Sequence, residues 1–248
     1  MSQRLERGGS CPVRSRLLHQ SVDRVTAKDE LRQIAYWGDA LSEDEAARTL
    51  KALVRRTYSA GSYICHRGDR LDAWTGVTQG LVQLGAISAE GKAITIAGVR
   101  SGGWFGEGTV LKAEPRKYDM LALRDTTLAL VPRPIFMWLL DTSAGFGRFL
   151  VHQLNERIGQ FIAMVEYDRL HNPAARVARH IAWLFNPVLY PNAGDRIEMT
   201  QEEVGLLAGV SRQIANKSLL RLEELGLIKV DRGSIQVLDV EALGQFDG

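Results

Sequence analysis

Ser211, Arg212, Gln213, Asn216 and Lys217 fall within two helical turns near the end of the chain. Their spacing places the last four on one polar face. Guanidinium, amide and ammonium groups in such an array are the side chains that meet base edges and phosphate oxygens. From Ser211 to Arg221 there are three positive charges and no negative one, so the local field favours phosphate. Thr200 and Gln201, a short distance upstream, open a second polar helix start.

The elements that must hold this face are marked in the surrounding residues. Thr200 with Glu203 forms a capping-box spacing ahead of TQEEVGLLA, the first helix. Gly209 stands where a tight turn needs a permissive backbone, and Val210 can plug the angle between helices. Ser211 is the N-cap of a second helix running through Leu225, with Ile214, Leu219, Leu222 and Leu225 expected to face the core. Gly226 ends it as a C′ glycine. LIKV and SIQVL, joined by Asp231-Arg232-Gly233, read as two strands of a wing. Helix, turn, helix and wing predict a winged helix-turn-helix whose second helix lies in the roughly 12 Å wide major groove of DNA. The competing reading is a solvated helix face. The ordered set of caps, turn and wing favours DNA.

Other chemistry is poorly supplied. Cys65 and His66 could ligate a metal, but neighbours at a strand end point to opposite faces. The histidines at 19, 66, 152, 171 and 180 show no HxH or HxxxH spacing, and Cys11 and Cys65 form neither a CxxC pair nor a disulfide framework. No metal site and no enzyme activity are therefore expected. A cupin-like barrel metalloenzyme with an accessory winged helix is the alternative, and a ligand-binding signalling module that does not touch DNA is a third reading. A net charge of +2, with 45% hydrophobic and 24% charged residues, suits a soluble globular protein and leaves the partner open. No apolar run reaches the roughly 18–20 residues that span a bilayer, and the polar N-terminus lacks a secretory signal pattern. A cytoplasmic protein without membrane association is expected.

Along the chain, residues 1–29 read as a mobile tail and residues 30–142 as a sensor domain. SEDEAARTLKALVRR, from Ser42, reads as a capped helix. Between Tyr58 and Val131, short apolar or alternating runs are separated by turns such as Arg67-Gly68-Asp69 and Gln79-Gly80, a pattern of antiparallel barrels and jelly rolls. A short helix is expected over Ile135–Leu140, then a long one over 143–171. In that helix Val151, Leu154, Ile158, Phe161 and Val165 recur at intervals of 3, 4, 3 and 4, the seam of a two-stranded coiled coil. A helix lying on its own barrel is the other reading of this stripe. Phe149, Leu150, Ile162 and Met164 lie off the seam and are expected to cover the barrel. Residues 172–248 complete the chain as the winged helix, opened by Pro173 in a first helical turn. The fold class is α+β.

The sequence resembles the cyclic-AMP receptor protein/FNR (Crp/Fnr) family of bacterial transcription regulators over roughly residues 30–245. The likeness rests on TQEEVGLLAGVSRQIANKSLLRLEELGLI in the C-terminal half and on SAGSYICHRGD, GVTQGLVQL and GGWFGEGTVL in the barrel. It implies a cyclic-nucleotide-binding-type jelly roll, a dimerisation helix and a homodimer on palindromic double-stranded DNA, with RNA polymerase as a further partner. Arg212 matches a guanine-reading position, Gln213 stands where many members carry Glu, and Asn216 and Lys217 match base or phosphate contacts. The resemblance also implies Gly106-Glu107 for a ribose hydroxyl and Arg116 for a cyclic phosphate. Lys117 and Tyr118 depart from the small residues expected next. The expectation is a regulator without a cofactor whose effector is unknown and is not cAMP, a cyclic nucleotide remaining the alternative. The long helix is expected to couple the two halves, through the way two copies of it pack.

Overall fold

A computed structural model describes residues 25–87, 93–167 and 172–248. Helix α1 (Ala27–Arg32) begins inside the stretch expected as tail, because Thr26 and Asp29 close a capping box around its first turn. Residues 1–24 lie outside the described residues. A 3-10 turn (Tyr36–Ala40) leads to α2 (Glu43–Ala52), capped by the Ser42–Glu45 box that the sequence announces.

Helix α2 stops at Ala52 rather than continuing through Arg56. Residues from Val54 onward form β1 (Val54–Tyr58), which pairs antiparallel with β8 (Thr126–Pro132) from Val54 opposite Leu130 to Tyr58 opposite Thr126. A ladder partner far along the chain overrides the local helical pattern. Between them lie β2 (Tyr63–Cys65), β3 (Ala73–Gln79), β4 (Leu81–Ile87), β5 (Ala93–Arg100), β6 (Trp104–Phe105), α3 (Glu107–Lys112) and β7 (Asp119–Ala122). Two antiparallel sheets, ordered β1-β8-β3-β6 and β2-β7-β4-β5, form a jelly-roll barrel around Val77, Val82, Leu84, Val99, Phe105, Met120 and Leu128. Gly76 on β3 is needed where the Trp104 indole lies on the backbone, in the space a Cβ would take.

Helices α4 (Arg133–Thr142) and α5 (Ala144–Tyr167) leave the barrel but remain fastened to it. Trp74, Trp104, Trp37, Phe136 and Phe146 form one buried aromatic cluster, with Trp74 and Trp104 centroids 4.6 Å apart and Trp37 and Trp74 5.0 Å apart. Rings from the N-terminal turn, both sides of the β3–β6 pair, α4 and α5 thus share one core.

The C-terminal unit comprises α6 (Pro173–Trp183), β9 (Arg196–Glu198), α7 (Gln201–Ala208), α8 (Arg212–Glu224), β10 (Ile228–Asp231), β11 (Ser234–Val237) and α9 (Val240–Gln245). The wing sheet has the order β10-β11-β9, one strand more than the two expected. Its core gathers Val177, Ile181, Leu219, Leu222, Ile228, Ile235 and Leu243. Ile214 and Leu225, expected inside, are exposed. The small Ala215 and Ser218 are buried instead, where α8 crosses α6, so the buried stripe is 215, 218, 219 and 222. Small residues at a crossing let two helices approach closely.

Candidate nucleic-acid interface

The angle between α7 and α8 is set by local chemistry. Thr200 Oγ1 accepts from the Glu203 amide at 3.2 Å, and Glu203 Oε2 accepts from the Thr200 amide at 2.6 Å. Gly209 takes the left-handed φ of +62° that the turn requires, and a Cβ at Gly205 would stand 2.9 Å from the Val210 carbonyl oxygen. Ser211 Oγ then accepts from the Ile214 amide at 3.3 Å and starts α8. Arg212, Gln213 and Lys217 project into solvent from its first turns, while Asn216 is half-buried. Asn216 Oδ1 accepts from Gln201 Nε2 at 2.8 Å, so the starts of the two helices are joined through their polar side chains.

A groove of about 440 Å³ runs between these helix starts and the wing, lined in part by Thr200, Gln201, Arg212 and Arg232. Of the residues expected at the interface, Thr200, Gln201 and Arg212 line this groove, Asn216 is tied to it through Gln201, and Ser211 lies instead beside a cavity shared with Ile94 and Thr95 of β5. Arg232, read from sequence only as a turn residue, joins them. Its signal was a cation at the tip of the turn between two strands, a place from which a side chain reaches outward.

On α5 the expected seam divides. Val151 is 65% exposed, Ile158 57%, Phe161 46% and Val165 54%, whereas Leu154 is partly buried against the aromatic core. Ile162, expected to cover the barrel, is also 65% exposed and widens the apolar stripe. The opposite face of α5 buries Phe146 and Leu150, then turns polar. Gln153 Nε2 donates to the Trp104 carbonyl at 2.8 Å, and Arg157 Nη2 donates to the same carbonyl. Arg157 Nε lies 3.5 Å from Glu107 Oε1.

The barrel and the winged unit also touch directly. Arg124, in the corner between β7 and β8, reaches Glu203 at 2.5 Å and Glu198 at 3.6 Å. Arg100 Nη2 donates to the Arg196 carbonyl at 3.0 Å, and its guanidinium lies over the Phe185 ring. A Cβ at Gly98 on β5 would stand 3.0 Å from Leu207 of α7.

Cys65 and His66 part as their strand position requires. Cys65 is buried with Sγ 3.2 Å from Met120 Sδ, and burial pushes its thiol up to about 11. His66 points outward, 3.5 Å from Asp119. Among the described residues no group of three or more His, Cys, Asp and Glu side chains could hold a metal ion.

Two family models match the chain in this arrangement: the cyclic nucleotide-binding domain over residues 55–143 and the Crp-like helix-turn-helix domain over residues 175–246. The chain belongs to the Crp/Fnr family of transcription regulators. It is 27% identical over 206 residues to a cyclic AMP receptor protein of Thermus thermophilus, covering 83% of this chain and 94% of that protein. It is 29% identical over 201 residues to the transcriptional regulator SdrP of the same species, covering 78% and 95%. A solved CRP/FNR-family transcriptional regulator, also from Thermus thermophilus, superposes with a TM-score of 0.52 at 27% identity, covering 79% of this chain and all of that one. The metalloenzyme alternative finds no support in these relatives.

The Crp/Fnr barrel raises the question of a cyclic nucleotide, and of the residues at the matching positions Glu107 and Arg116 are buried while Lys117 is not. Arg116 is 1% exposed, and its Nη2 donates to the Ala73 carbonyl at 2.7 Å and Thr75 Oγ1 at 3.2 Å. Its guanidinium fills the space beside Gly106 that a Cβ would take. Lys117 is not brought to this site: it is exposed and pairs with Glu114 at 2.9 Å. Glu107 is buried and faces Arg157. Glu107 Oε2 and Arg116 Nε and Nη1 have no hydrogen-bond partner among the described residues, which leaves a buried acceptor and two buried donors for a bound polar group.

Proposed function

We propose that this regulator binds palindromic double-stranded DNA as a homodimer, with α8 of each copy in the major groove. Arg212, Gln213, Asn216 and Lys217 are the groups that would read bases and phosphates. Thr200, Gln201 and Ser211, at the N-terminal ends of α7 and α8, would meet the backbone, where helix termini favour anions. A second copy of the chain would cover the stripe formed by Val151, Ile158, Phe161 and Val165, with Leu154 at its inner edge. Two-fold pairing through such a stalk suits half-site centres roughly 34–36 Å apart. RNA polymerase is the partner through which a bound dimer would act on transcription, and the cytoplasm is the compartment this reading implies.

The observation that carries the reading is the exposed, cationic start of α8 beside the wing. Selection of bound sequences from random duplexes, followed by anisotropy titrations across salt concentrations, tests it. A palindrome should emerge, and its affinity should fall steeply with salt. Binding that ignores salt, or that yields no preferred sequence, would sink the assignment of α8.

A further inference from the structure

Among the cationic and amide groups on the outward side of α8 stands one apolar side chain. Leu220 is 53% exposed, more than any other apolar residue of the helix. A lone leucine on a surface needs no explanation. This one is set apart by its neighbours. Side chains three and four positions apart lie together on a helix, so Leu220 stands beside Asn216 and Lys217, with Gln213 two turns back on the same line. The core takes the other side of α8, where Ala215, Ser218, Leu219 and Leu222 are buried. Ile214, also exposed, is six positions away and about 120° round the helix, off this line. Beyond Leu220 the face changes character. Arg221 pairs with Glu224 at 3.4 Å, and Glu224, one turn on, brings a negative charge to the line. Leu220 is therefore the last side chain on it that a polyanion can approach before meeting a carboxylate.

A leucine can neither donate nor accept a hydrogen bond, and it offers nothing to a phosphate. Pressed against the polar edge of guanine, adenine or cytosine, it would displace water and give no hydrogen bond in return. Thymine alone among the four bases presents a methyl group in the major groove. We propose that Leu220 is a specificity-determining residue: its side chain covers the C5-methyl of one thymine in each half-site, next to the bases met by Gln213, Asn216 and Lys217. This rests on the DNA-binding reading above and deepens it, adding one apolar contact to a set that is otherwise polar.

The palindrome that emerges from selection supplies the probe. Each thymine of one half-site is replaced in turn by uracil, which keeps every hydrogen-bonding group and lacks only the methyl. Affinities are then measured by anisotropy for the full chain and for Leu220→Ala. One position should stand out. Uracil there should weaken the parent about fourfold, the transfer value of roughly one buried carbon, and should leave Leu220→Ala unaffected. For the parent, 5-methylcytosine placed at that position should outbind cytosine. Leu220→Ala should keep the parent's melting temperature, since the side chain is exposed, and its salt slope, since no phosphate contact is lost. Leu220→Gln, close in size but polar, should lose the uracil effect as the alanine variant does.

A parent insensitive to uracil at every thymine overturns the inference. So does a uracil effect that persists in Leu220→Ala, or a selected half-site without an A·T pair. Any of these, found with a palindrome that the parent does select, defeats the role of Leu220 and leaves DNA binding standing. A parent that selects no sequence defeats the DNA-binding reading itself, and the role of Leu220 with it.

Discussion

In the barrel, Arg116 and Arg157 end on carbonyls, a hydroxyl and a carboxylate of their own chain; in the winged unit, Arg212, Lys217 and Arg232 end in solvent. The same kinds of cation serve two physical ends. A guanidinium enclosed in a low-dielectric interior must be satisfied there, and becomes part of what fixes the fold. One held on a capped helix beside a wing keeps its hydrogen-bonding capacity for another molecule. The difference teaches that a basic residue in this chain is read by the element that carries it. Composition alone would count them together.

Substitutions can break or sharpen this contrast. The largest effect on folding should come from Trp74→Ala, which opens a void among Trp37, Trp104 and Phe146 and should cost about 3–5 kcal/mol in chemical denaturation. Loss of operator binding by that variant should follow only from unfolding. Phe161→Ala removes a ring from the exposed stripe. It should lower dimer stability by up to roughly 1.5–3 kcal/mol per copy, the transfer value of a buried Phe, read by sedimentation across concentrations. A variant that remains dimeric with full operator affinity would argue against the stalk. Arg212→Ala should leave the melting temperature alone and relax base preference by about 1–3 kcal/mol per half-site, visible in a panel of operator variants. Lys217→Ala should weaken binding evenly across sequences and reduce the salt slope by about 1 per copy.

The smallest effect concerns pH. Burial, assisted by Arg176, pushes His180 on α6 from 6.5 down to about 4, so the folded protein holds it neutral. The unfolded chain takes up that proton first. Stability is therefore fully present above pH 6.5 and declines as pH falls towards 4. Melting curves of His180→Gln should be flatter than those of the parent in that window. Equal slopes would show that His180 does not titrate as described.

Much of the winged unit was legible because its signals are local. The Thr200–Glu203 box, the Gly209 turn, the Ser211 cap and the Gly226 stop each act within a few residues, and each stands in the structure. The strands of the barrel were legible from alternation and turn glycines. What escaped depends on distant partners. Val54–Tyr58 is a strand only because β8 lies beside it, and Arg196–Glu198 only because β11 does. Exposure of Ile214 and Leu225 follows from where α6 crosses α8. Lys117, expected at a phosphate cradle, is drawn outward to Glu114, and Arg157 is drawn inward to Glu107. Neither choice is written in the neighbouring residues.

Glu203 closes the first turn of α7 with one carboxylate oxygen and accepts Arg124 of the barrel with the other. Its negative charge lies three positions after Thr200, in the first turn of α7, on a side chain only 12% exposed. While the two halves touch, a neighbouring cation offsets that charge. If the β7–β8 corner drew away, the carboxylate would keep its cap on Thr200 but lose its cation, and the first turn of α7 would carry an uncompensated negative charge. Contact between the halves thus sets the net charge of that helix start through a single side chain.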